Sequence, residues 1–166
     1  MPGDAAGILE VDRACAESGD GMVLDVDQLE LDLGAIDRRS RPSELQRVFV
    51  VAHPSGTIAG YASARKLFPA RVRHVATLAV AVHPGWQRQG LGRALMREAV
   101  AWAERAGASR LELYVRSDNR RAISLYRSLG FEREAVRKGF IATLAGELID
   151  DFIMVRFAQP LTSPIS

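Results

Sequence analysis

The sequence predicts an α+β domain, a mixed α/β sandwich in which one sheet carries helices on both faces. Three observations carry that prediction. The elements run strand, strand, strand, helix, strand, helix, strand, strand, which is neither a βαβα alternation nor an all-β meander. Residues 74–82 are mostly apolar at both odd and even positions, so they read as a long central strand covered on both sides. Residues 91–106 repeat apolar side chains at Leu91, Leu95, Ala99, Trp102 and Ala106, the stripe of an amphipathic helix.

One core accounts for the 166 residues, since domains commonly run about 100 to 200 residues. Residues 1–22 are rich in Gly, Ala and Asp with little periodicity and are expected to be poorly ordered or weakly helical. The domain proper is expected over residues 23–158. It opens with Val23, Val26, Leu29 and Leu33 at three- and four-residue steps, one face of a short helix, before a loop around Pro42. Residues 47–52 are β-branched and aromatic. The turn residues His53, Pro54, Ser55 and Gly56 follow, then residues 57–64, so the pair reads as a hairpin. The central strand stops at Pro84 and Gly85, and Gly107 closes the long helix. Residues 110–116 form the next strand. Asp118 or Asn119 then caps a short helix over 122–129, which Gly130 ends. Two strands, 131–140 and 148–157, turn at 144–147, and residues 159–166 are read as a tail.

Composition narrows the function. Lys and Arg total 22 against 20 Asp and Glu, and a net charge of +2 points to neither a nucleic-acid nor a membrane partner. Basic residues do crowd 110–138, a bias that suits either a phosphorylated ligand or an ordinary solvated surface. Three His and a single Cys15 show no metal-ligand spacing, so no metal is expected, and a lone cysteine suits a reducing, cytoplasmic compartment. No run approaches the roughly 18 apolar residues of a membrane span, and Met1-Pro2-Gly3-Asp4 does not begin like a secretory leader.

The most informative stretch is residues 80–93, in which an apolar strand stops, passes a Pro- and Gly-containing bend and enters the long helix. Glycines at 90 and 92 remove Cβ atoms that would hold a ligand off the backbone. The helix start offers unpaired N–H groups with positive dipole character. Such an end suits a pyrophosphate. No Gly-Lys-Ser/Thr follows, which excludes a Walker A loop, and the spacing is not the Gly-x-Gly-x-x-Gly of dinucleotide-binding folds.

With Gln87-x-x-Gly90-x-Gly92, the chain resembles the GNAT superfamily of acetyl-CoA-dependent N-acetyltransferases. The second block agrees: residues 119–131 are similar to that family's Asn-x-x-Ala-x-x-Leu-Tyr-x-x-x-Gly-Phe motif, through Asn119, Ala122, Leu125, Tyr126, Gly130 and Phe131. The likeness covers about residues 45–157. It implies a mostly antiparallel sheet of six or seven strands, acetyl-CoA as cosubstrate and a primary amine as acceptor: an amino acid, a small amine, or a protein N-terminus or lysine. It also implies that the backbone of Val80 and Val82 pairs with the acyl and pantetheine arm. Gln87, Arg88, Gln89, Gly90 and Gly92 would hold the pyrophosphate, Asn119 would bond the arm, and Tyr126 would give a proton to the departing thiolate.

A phenol of pKa about 10 is protonated at neutral pH and suits that last role. Tyr126 also fits a plain core aromatic, sharing its helix face with Ala122 and Leu129. For the general base, Glu112 and His74 are candidates by type and position. A salt-bridged Glu and a hydrogen-bonded His are the competing readings. Cys15 is discounted as a nucleophile for want of an adjacent base. A non-catalytic acyl-CoA-binding module remains the alternative, and the resemblance allows a homodimer through edge strands or the C-terminal hairpin. The acceptor is left open, because the opening strand of that family is not evident in residues 1–45.

Overall fold

In order along the chain, the computed structural model contains helix α1 (Asp4–Ser18), α2 (Leu33–Ser40), strands β1 (Gln46–Ala52), β2 (Ile58–Lys66) and β3 (Val75–Val82), helix α3 (Leu91–Arg105), strand β4 (Arg110–Arg116), helix α4 (Arg120–Ser128), and strands β5 (Glu132–Ala142) and β6 (Leu148–Phe157). The structure describes residues 4–19, 33–143 and 145–158. Most of the short helix expected from residue 23, the tail from 159 and residue 144 of the final turn lie outside them.

The strands form a six-stranded sheet in the order β1-β2-β3-β4-β6-β5. β3 and β4 pair in parallel, and every other neighbouring pair is antiparallel. The parallel pair follows from its connection: α3 must return the chain along the sheet before β4 can start, as in any βαβ crossover.

Helices cover both faces. On one, α3 contributes Leu95, Met96, Ala99, Val100 and Ala103, and α4 contributes Ile123 and Tyr126, against Ala62, Ala64, Ala76, Leu78, Leu111, Leu113, Val115 and Met154 of the strands. The run of alanines lets α3 lie close to β2 and β3. On the other face, Val11 and Cys15 of α1 pack on Ile58, with Val50, Tyr61 and Ala81 alongside.

That second layer takes in the start of the chain, which the sequence reads as poorly ordered or weakly helical, as a packed helix. Residues 4–18 are a regular helix whose buried side chains are Ile8, Val11, Asp12 and Cys15. They lie at i, i+3, i+4 and i+7, the spacing of one helical face. The stripe escaped sequence reading because a carboxylate, Asp12, and a small thiol occupy half of it, which dilutes the apolar signal.

Candidate active site

β3 and β4 are in register only over Val75, Ala76 and Thr77, opposite Arg110, Leu111 and Glu112. Beyond Thr77, β3 continues as far as Val82 against β2 alone, while β4 continues against β6 to Arg116. The two strands therefore part in mid-sheet. His83 N–H donates to Ala59 O on the β2 side. By the alternation of backbone groups along a strand, Val82 and Val80 direct theirs to the side β4 has left. A cavity of about 350 Å³ opens there, lined by Val80, Val82, Gln87, Arg88, Gly90, Gly92, Asn119 and Tyr126 among others.

Beside the cavity the chain turns from β3 into α3. His83 Nδ1 accepts from Gly85 N–H at 3.1 Å and caps a single 3-10 turn, Pro84–Trp86. Gln87 braces the turn from both ends of its amide: Nε2 donates to Val82 O at 3.1 Å, and Oε1 accepts from Arg121 Nη2 at 2.5 Å. Arg88 and Gly90 both lie in the left-handed region, at φ 62° and 78°. That conformation costs a non-glycine residue about 1–2 kcal/mol, so the Arg88 backbone is held there by its surroundings. Gly90 caps α3 with no side-chain hydrogen bond to the first-turn amides. A Cβ on Gly92 would meet Leu125 Cδ2 at 3.4 Å and Val82 Cγ2 at 3.7 Å, ordinary contacts that leave packing no strong need for a glycine. Arg88, Arg93 and Arg121 line the same cavity. Uncapped amides at a helix N-terminus, a glycine facing the cavity and three guanidiniums make an anion-binding end. Gln89 is the exception among the expected residues, since it is exposed and does not line the cavity.

Helix α4 lines the cavity as well, through Arg121, Ala122, Leu125 and Tyr126. Asn119 Oδ1 accepts from Ala122 N–H at 3.1 Å and caps the helix, which leaves its amide nitrogen as the donor available to a ligand. Tyr126 is 6% exposed and packs edge-on to Phe131, ring centroids 6.3 Å apart. Burial pushes its phenol up to about 12. Among the described residues no fully buried side-chain polar atom lacks a hydrogen-bond partner. The Tyr126 hydroxyl makes no protein hydrogen bond, so it reaches the cavity. The ring is core and the oxygen is not.

The two candidate bases fare differently from Tyr126. Glu112 sits where β3 and β4 part, but its Oε2 takes Arg110 Nη2 at 3.1 Å and its Oε1 takes Tyr114 Oη at 2.8 Å. Arg110 also pairs with Glu134, so Glu112 belongs to a structural ion-pair network. His74 precedes β3 and is exposed. It stands eight residues from Val82, about 26 Å along the strand. Cys15, by contrast, lines the cavity, with its Sγ donating to Val82 O at 3.4 Å. Sequence reading missed Tyr114, Arg93 and Trp86 at the site; their only signal was proximity to the motifs, which does not reveal side-chain direction. Among the described residues no group of His, Cys, Asp and Glu could hold a metal, and no helix is long and apolar enough to cross a membrane.

Comparison with known proteins bears on this geometry. The model of a family described as the acetyltransferase (GNAT) family matches residues 14–131. The [ribosomal protein bS18]-alanine N-acetyltransferase of Escherichia coli K12 is 45% identical over 67 residues, 40% of this chain and 45% of that protein. The chain thus matches less than half of that relative's length. An acetyltransferase of GNAT family from Streptococcus pneumoniae superposes with a TM-score of 0.85 at 27% identity, covering 95% of this chain and 96% of the other. The putative acetyltransferase yncA from Salmonella typhimurium, described with its cofactor acetyl-CoA, gives a TM-score of 0.80 at 25% identity, covering 99% of this chain and 94% of that one.

Proposed function

Because the chain belongs to the GNAT family of acetyltransferases, whose cosubstrate is acetyl-CoA, we propose that it transfers an acetyl group directly to a primary amine, with Tyr126 as general acid. One observation carries the reading. The cavity between the parted ends of β3 and β4 is lined by both an anion-binding helix start and a buried tyrosine whose hydroxyl has no protein partner. Acetyl-CoA brings an activated thioester on an arm that ends in pyrophosphate, and the cavity offers groups complementary to both.

Each residue then has a task. The backbone of Val80 and the N–H of Val82 face the side β4 has left, while Val82 O is held by Gln87 and Cys15, so the pantetheine amides add to β3 as a further strand would. The amides of Gly92 and its neighbours, with Arg88, Arg93 and Arg121, neutralise the pyrophosphate; Gln87 acts by bracing the turn. Gln89 lies in the same segment but outside the cavity lining. Asn119 donates to the arm. Tyr126, whose phenol holds its proton up to about pH 12, protonates the thiolate as it leaves.

The acceptor is a primary amine, and the bS18-alanine acetyltransferase likeness makes a protein N-terminus one candidate within that class. A cytoplasmic location belongs to the same reading, on the strength of a sequence with a single cysteine, Cys15.

The deciding experiment is acetyl-CoA binding by calorimetry, followed in the same sample by thiol release with amino acids, polyamines, aminoglycosides and peptides bearing a free N-terminus. Binding with thiol release on one amine class is the expected result. Binding without release on any amine favours the non-catalytic module, and no binding overturns the reading.

A further inference from the structure

A separate cavity, of about 750 Å³, opens towards the end of α3 and shares no lining residue with the first. The helix itself holds the two apart. Gly92 in its first turn lines one and Trp102 lines the other, about 15 Å further along the axis.

Strand register gathers cations there. Arg47 on β1 stands opposite Ala64, and Lys66 lies two residues further along β2. Ala64 belongs to the core beneath α3, so Arg47 and Lys66 are diagonal neighbours on that same face of the sheet. Arg73, from the connection between β2 and β3, completes the group. Elsewhere the chain matches cations with acids: Arg110, Arg116, Arg137 and Lys138 each pair with a carboxylate. Among the described residues Arg47, Lys66 and Arg73 pair with none, not even with Glu44, which lines the same cavity. Lys66 Nζ donates to Ala106 O at the end of α3, which fixes the ammonium and leaves its remaining N–H groups for a ligand.

Like charges brought together on one sheet face repel. Arg47 and Arg73 are exposed and fill no core position, so packing does not call for them, whereas a bound anion would offset the repulsion. Three cations and one carboxylate leave an excess of two positive charges, which matches the charge of about −1.5 to −2 on a phosphomonoester at neutral pH. Guanidiniums suit phosphate oxygens, which they can take in pairs. Trp102 and Leu45 add apolar wall for the body that carries the phosphate.

We infer that this cavity binds a phosphomonoester on a small organic body, at a site distinct from the one that takes acetyl-CoA. The test is calorimetry with phenyl phosphate, with CoA in excess to occupy the first cavity. A Kd of about 1 mM or tighter is expected, weakening as salt is added, with inorganic phosphate at least about tenfold weaker for want of an apolar body. Arg47→Gln combined with Arg73→Gln should weaken phenyl phosphate at least about tenfold and leave the acetyl-CoA Kd unchanged. Arg71 is an exposed cation on the same connection that does not line the cavity, and Arg71→Gln should leave both affinities unchanged. The inference is overturned by no saturable heat with phenyl phosphate or by equal affinity for inorganic phosphate. Unaltered binding in the double variant, or the same loss in Arg71→Gln, overturns it equally.

Discussion

Tyr126 shows how one residue satisfies two demands. Its ring fills the core beside Phe131 and its oxygen faces the cavity, so a core aromatic and an acid are the same side chain. Replacing it with Phe preserves the ring packing and removes the proton. We expect kcat to fall about 100-fold or more while the calorimetric Kd for acetyl-CoA holds; a kcat within a few-fold of the original would remove Tyr126 from the mechanism. The same burial has a consequence for stability. An unfolded tyrosine ionises near pH 10, whereas folded Tyr126 keeps its proton to about 12. Between those values the unfolded chain sheds a proton that the native one retains, so stability falls as pH rises. Thermal melts from pH 9 to 12 should therefore drop more steeply for the unaltered protein than for Tyr126→Phe. Asn119 is similarly double, capping α4 with its oxygen while its nitrogen faces the cavity. Both residues were legible in the sequence because their motif spacing is local; that the Tyr126 hydroxyl is accessible was not, since it depends on β4 bending away.

At the scale of elements, the start of α3 concentrates the binding chemistry. Gly92 lies inside a helix, where Ala is intrinsically favoured by about 1 kcal/mol, and the space around it admits a Cβ. Gly92→Ala should leave the melting temperature equal or higher, with acetyl-CoA affinity reduced because the methyl group stands where the ligand approaches. Gly92→Glu should abolish binding in calorimetry by setting a carboxylate against pyrophosphate, with the circular dichroism spectrum unchanged. An unchanged Kd in Gly92→Glu would take the pyrophosphate away from this helix end. This element was readable from sequence since strand, bend, glycines and helix follow one another within fourteen residues. α1 was not: Asp12 interrupts its buried stripe, and what makes that stripe stable is the face of β2 and β3, remote in sequence.

Over the whole molecule, Phe131 links the layers. It follows α4 directly and is 1% exposed, within the core that joins α3, α4 and the sheet. Phe131→Ala should cost about 3–5 kcal/mol, as large aromatic truncations in a packed core do, read as a lower urea midpoint. Loss of the seat for α4 should also weaken acetyl-CoA binding; a midpoint within error of the original would mean that the core repacks around the void.

The sequence by itself determined the strands and helices from β1 onward, the two-sided burial of β3, and the two motifs at the helix starts, because each is written in residues close together along the chain. Only the tertiary structure decided that β3 and β4 separate after Thr77, that α1 closes the second face, that Gln89 points away, and that Asp12 and Tyr61 meet across forty-nine positions. Those features arise from strand pairing and packing between distant segments, and no periodicity within a short window encodes them.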